Sequence, residues 1–149
     1  MTTVAAAQRK PRLMLPANII AAINDPDWCG PWFRGGDWSA WRTFLAAAFA
    51  LPMTTDQFAI FSECTGRQSA PTAQATEAWC IAGRRGGKTR VLSTIASWLA
   101  AFPDWRPHLS PGEVASVMVI AANRRQARVA LRYIRSLFLD HPTLSRLHS

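Results

Sequence analysis

Apolar positions recur along the chain at two different spacings. Within residues 37–51, Trp38, Trp41, Leu45, Ala48 and Phe49 fall three or four apart, which predicts a helix capped by Asp37 and ended by Pro52. A second helix follows, opened by a capping box of Thr54 and Gln57. Its apolar face carries Phe58, Phe61 and Cys64, and Gly66 ends it. The two helices are expected to form a hairpin. Gln57 could also reach an adenine edge, but capping accounts for it. Residues 67–76, rich in Ser, Thr, Pro, Ala and Gln, read as a surface loop.

Beyond that loop the pattern changes. Residues 78–82 and 114–121 are short apolar runs that read as strands, and the near-continuous second run suits a central parallel strand covered on both faces. Helical spacing returns after each run. Leu92, Ile95, Ala96, Leu99 and Phe102 mark the buried face of a helix over residues 90–102, which Pro103 stops, and residues 104–112 read as a connecting loop. Asn123 can cap a last helix over 124–139. There Ala127, Ala130, Leu131, Ile134, Leu137 and Phe138 form an apolar stripe, with Arg124, Arg125, Arg128, Arg132 and Arg135 on the other faces. This βαβα order predicts an α/β fold with right-handed parallel pairing, preceded by the helical hairpin. Two parallel strands leave open sheet edges, so a marginal or aggregation-prone fold is expected in isolation.

The first apolar run ends in the chemistry-bearing stretch of the chain, EAWCIAGRRGGKT over residues 77–89. Gly83, Gly86 and Gly87 lack the side chains that would keep inward-turned backbone N–H groups away from a phosphate. Lys88 can place a charge on the outer phosphates, and the Thr89 hydroxyl can ligate an accompanying Mg²⁺. The following helix adds its N-terminal dipole. This is the grammar of a P-loop, except that Ala82 stands where the strict pattern has glycine. The expected architecture is a partial P-loop NTPase, RecA/helicase-like, with a parallel sheet flanked by helices. Its phosphate site would lie at the carboxyl edge of the sheet.

Composition refines this picture. A formal charge of +8, almost all of it from arginine, favours a polyanionic partner such as nucleic acid. A hydrophobic content of 49% over 149 residues describes a globular chain able to bury a core, not a disordered one. Residues 1–31, with Arg9, Lys10 and Arg12 among several prolines, read as a flexible basic N-terminal arm, and residues 32–149 as the domain proper; only residues 17–23 of the arm have weak helical character. Cys29, Cys64 and Cys80 lack metal-ligand spacing and read as free thiols of a reducing compartment, with Cys80 a buried small hydrophobe in the first strand. No apolar run approaches the roughly 20 residues needed to cross a bilayer, so no membrane partner and a soluble, intracellular protein are expected.

Hydrolysis of a nucleoside triphosphate needs an acid at the end of a second strand to orient the metal. Asp140 follows an apolar run, but one that continues the last helical stripe, while Asp104 and Glu113 lie in loops. A Walker B acid is therefore missing, and turnover by this chain alone is not expected.

Four segments together point to a family: DWSAWRTFLAAAFALP, FSECTGR, EAWCIAGRRGGKTR and VMVIAANRRQARVALRYI, within residues 37–134. The chain resembles the N-terminal part of the ATPase domain of a bacteriophage terminase large subunit, the motor that packages DNA into a capsid. In that family the loop commonly departs from the strict pattern at its first position. The resemblance implies ATP and Mg²⁺ as cofactors, with Gly83, Arg85, Gly86, Gly87, Lys88 and Thr89 holding the nucleotide, Thr89 on the metal, and Arg84 acting catalytically on the γ-phosphate. It places residues 123–128 near nucleotide or DNA. It also implies double-stranded DNA, the phage portal and the small terminase subunit as partners, and the cytoplasm of a bacterial host as location. The family's acidic pair, coupling motif and nuclease domain have no counterpart here. The implied chain is a truncated reading frame, a split gene product or an expressed fragment, oligomeric only with the missing part. Two other readings remain: a non-enzymatic terminase remnant that binds DNA or a phage partner through its arginines, and a fragment of another P-loop ATPase or helicase.

Overall fold

A computed structural model of the protein describes residues 16–140. Among these residues there are five α-helices and two short 3-10 turns, and no strand. The helices are α1 (Ile19–Asn24), α2 (Ser39–Ala48), α3 (Thr55–Thr65), α4 (Lys88–Ala101) and α5 (Arg124–Asp140), and the 3-10 turns are Gly30–Phe33 and Arg106–His108.

The expected α/β fold is thus corrected to an all-helical one. Residues 78–82 and 114–121 run without a hydrogen-bonded ladder, and their apolar side chains stand in solvent: Ile81 and Ile120 are 103% and 85% exposed. A helix satisfies its own backbone, whereas a strand needs a neighbour on each side, and two strands alone are marginal at best. Here α4 packs directly against α5, with no sheet between them. The carboxyl sheet edge expected to hold the phosphate site is absent with it. Cys80, expected in a buried strand, is exposed.

Short-range signals are realised as the sequence suggests. Thr54 accepts from the Gln57 backbone N–H at 3.2 Å, while the Gln57 side chain accepts from the Thr54 N–H at 2.9 Å, closing the capping box of α3. Gly66 ends that helix at φ +70°, in the left-handed region where a Cβ is strained. The α2–α3 hairpin forms, and the backbone N–H of Ala75 ties the following loop to the Ala48 carbonyl at the end of α2. Asn123 accepts from the Gln126 N–H at 3.0 Å and starts α5. Asp37 acts one residue earlier than expected: it accepts from Ser39 N–H at 2.8 Å, and Trp38 holds the cap position without a side-chain bond.

Ile19, Ile23, Cys29, Phe33, Leu45, Val91 and Leu137 form the core, lined by partly buried Trp32, Trp38, Trp41 and Trp98. Of the stretch 1–31 expected as an arm, residues 1–15 lie outside the described residues, while Ile19 and Ile23 of α1 and Cys29, just before the Gly30–Phe33 turn, belong to this core. The buried face of α4 also differs from expectation. It is Val91, Ser93, Thr94, Ala96 and Ser97; of the expected residues Ala96 is buried and Ile95 packs against the core, whereas Leu92 is 56% exposed. Small side chains let α5 approach closely enough for the Ser93 hydroxyl to donate to the Ala130 carbonyl at 3.2 Å. On α5, Ala130 and Leu137 are buried, Leu131 is exposed, and all five arginines face solvent. No helix among the described residues is long and apolar enough to cross a membrane.

Candidate functional site

Residues 83–87 form a turn that delivers the chain into α4. Gly86 N–H donates to the Gly83 carbonyl at 3.3 Å. Arg85 takes φ +60°, unusual for a residue with a side chain, and Gly87 takes φ +81° at the cap of α4. Gly87 is required twice over. Its φ is left-handed, and a Cβ built there would stand 2.8 Å from Cζ3 of Trp38. Since no side chain caps α4, its first-turn N–H groups are left to the loop and to whatever the loop faces.

Lys88 is the first residue of α4. Its ammonium turns back over the loop and donates to the carbonyls of Ala82 and Gly83 at 2.8 and 2.6 Å. A cation thus sits at the mouth of the turn, held by backbone oxygens, with a third N–H still to direct.

A cleft of about 580 Å³ opens beside this turn. It brings together Arg85, Gly86, Gly87, Lys88 and Thr89 of the expected site; Gly83 and Arg84, both exposed, are not in its lining. The rest of the lining comes from residues outside the expected site. Trp38 and Trp41 form one wall, Arg90 adds a cation, and Tyr133 reaches in from α5. Arg90 donates to the Trp32 carbonyl at 2.6 Å and lies with its guanidinium carbon 5.4 Å from the Trp38 ring centroid, a cation–π contact. Tyr133 meets Trp32 edge-on at 5.5 Å between centroids. Nothing in a linear reading singles out Arg90 or Tyr133, although the three-residue spacing of Trp38 and Trp41 does place both on one helix face.

Asp37 also lines the cleft, and backbone and side-chain hydrogen bonding with Ser39 hold its carboxyl below the usual range. One carboxylate among Arg85, Lys88 and Arg90 leaves the cleft basic. Among the described residues, no group of three or more His, Cys, Asp and Glu could hold a metal ion. The cleft offers main-chain N–H groups and cations of the kind that suit a phosphate-bearing ligand. Compared with protein-family models, with the curated proteins and with solved structures, the chain matches none.

Proposed function

We propose that residues 83–89 bind the phosphates of ATP and that the chain serves as the ATP-binding portion of a DNA-packaging motor of the terminase large-subunit type. The observation that carries the nucleotide reading is Lys88. It stands at the start of an uncapped helix with its ammonium turned over a glycine-rich turn, inside a basic cleft. Backbone N–H groups, a helix N-terminus and a lysine point charge are the three devices that hold phosphate. Thr89 lines the same cleft and would supply a hydroxyl to the Mg²⁺ carried by the triphosphate. Arg84, exposed on the turn, would extend to the γ-phosphate. The motor assignment rests on the four sequence segments and not on a sheet. The role proposed is nucleotide binding.

Titration of a fluorescent ATP analogue with Mg²⁺ tests the nucleotide reading. Lys88→Ala is expected to weaken binding about 10- to 100-fold, the scale of a lost charge-assisted hydrogen bond. Equal affinity in the two proteins would overturn it.

A second reading has its own observation: Arg124, Arg125, Arg128, Arg132 and Arg135 are all exposed along α5. Such a face suits the phosphate backbone of double-stranded DNA. If all five engage, log K should fall against log salt with a slope of about −4.5. A flat salt dependence would remove DNA as a partner.

A further inference from the structure

The bond that shapes the phosphate turn comes from far away in the chain. Trp41, on α2, donates its indole N–H to the Gly86 carbonyl at 2.6 Å across 45 residues of sequence. Three residues earlier, at the cap of the same helix, Trp38 presses on Gly87 and lies under Arg90. Trp38 is fixed in its turn: its indole N–H donates to the Gly35 carbonyl at 2.7 Å, and its ring meets Phe33 edge-on at 5.0 Å.

We propose that Trp41 and Trp38 are positioning residues that clamp the 83–87 turn from α2, with Trp41 setting the orientation of the Gly86 peptide and Trp38 setting the place of Gly87. A peptide plane held by its carbonyl is held at its N–H as well, since the two groups are fixed in one plane. Holding the Gly86 carbonyl toward Trp41 commits the Gly87 N–H to the opposite side of that peptide. A turn carrying left-handed Arg85 and two adjacent glycines has many other conformations open to it. The clamp selects one before ligand arrives, which lowers the ordering cost of binding. The purpose assigned to the clamp, presentation of N–H groups to phosphate, rests on the nucleotide reading. The clamp itself does not.

Two measurements on the full chain test it. Trypsin can cut after Arg84 and Arg85, both exposed, once the turn loosens locally. Trp41→Phe, which keeps the ring and removes the donor, is expected to speed cleavage there about five-fold, the scale of one hydrogen bond. Trp41→His restores a ring N–H and should recover part of that protection. Cleavage after Arg128 and Arg132 of α5 should stay at the wild-type rate, which separates a loosened turn from an unfolded protein. Unchanged cleavage at Arg84 and Arg85, or equal acceleration at all four sites, overturns the clamp.

ATP–Mg²⁺ affinity is the second readout, and Trp41→Phe is expected to weaken it by a similar factor. Wild-type affinity in Trp41→Phe, with Lys88→Ala impaired, would overturn preorganisation while leaving the nucleotide reading intact. Failure of the wild-type chain to bind ATP, with faster cleavage in Trp41→Phe, would overturn the nucleotide reading and uphold the clamp.

Discussion

Two apolar populations of this chain meet opposite fates. Leu45 of α2 and Val91 of α4 are completely buried, while Ile81 and Ile120, in runs at least as apolar, project into solvent. Hydrophobicity is the same on both sides, so it does not decide the outcome. Backbone hydrogen bonding does. Each helix closes its own N–H and C=O groups and has only to find a surface for one stripe of side chains. An extended run buried on both faces must first be paired along both edges, because an unpaired buried N–H or C=O costs about as much as the burial of a side chain returns. Residues 78–82 and 114–121 find no such neighbours among the described residues, so their backbones stay in water and their side chains stay with them.

The sharpest contrast is between two cysteines, one in each population. Burial, with Asp25 nearby, pushes the Cys29 thiol up from 9.0 to about 12, while Cys80, on the extended run, is exposed. At pH 8 a maleimide or disulfide reagent should modify Cys80, and exposed Cys64, within the dead time of a slow assay. Cys29 should wait for unfolding, slower by roughly 10³-fold or more for a domain of ordinary stability. Comparable rates at Cys29 and Cys80, assigned by mass spectrometry, would erase the distinction between the two regions. The sign of the pH effect follows from the upward shift. The contribution of Cys29 to stability is complete below pH 9, where both folded and unfolded thiols are protonated. It falls as pH rises from about 9 toward about 12, by roughly 1.4 kcal/mol per pH unit. Cys29→Ala should flatten that alkaline decline.

Truncation gives the next largest difference. Leu45→Ala should cost about 3 kcal/mol in urea denaturation, as expected where a fully enclosed leucine leaves a cavity. Ile81→Ala should stay within about 0.5 kcal/mol of wild type, because its side chain touches mainly water. A cost at Ile81 that rivals the one at Leu45 would mean that the extended run is covered in solution, and the two regions would no longer differ.

The same division explains what could be read from the chain in advance. Features closed within four residues were legible: the Thr54–Gln57 box, left-handed Gly66 and the Asn123 start of α5, whereas α4 starts at Lys88, two residues before the expected position 90. Features that depend on a partner were not. The buried face of α4 turned away from Leu92 and toward Ser93 and Ser97, because α5 presents Ala130 there, and no periodicity in α4 carries that information. The strands failed for the same reason, since an apolar run states a need for neighbours without supplying them. At the site, the turn and its lysine were visible, whereas the Trp41–Gly86 bond and the approach of Arg90 and Tyr133 come from packing α2 and α5 around α4.

The smallest expected effect probes the buried side of the comparison from within. Thr43 on α2 and Ser97 on α4 are each 3% exposed, and their hydroxyls find no hydrogen-bond partner among the described residues. A buried hydroxyl without a partner loses its water and gains nothing in exchange. Thr43→Val keeps the branched shape and removes the polar atom, so it should stabilise the chain by about 1 kcal/mol and raise Tm by roughly 2–4 °C. The direction is the informative part. Helix interiors penalise valine slightly relative to the best helix formers but hardly relative to threonine, so propensity cannot produce the gain. A loss of stability in Thr43→Val would mean that the hydroxyl is bonded in solution. The helical core would then contain a polar contact as essential to it as the apolar side chains around Leu45.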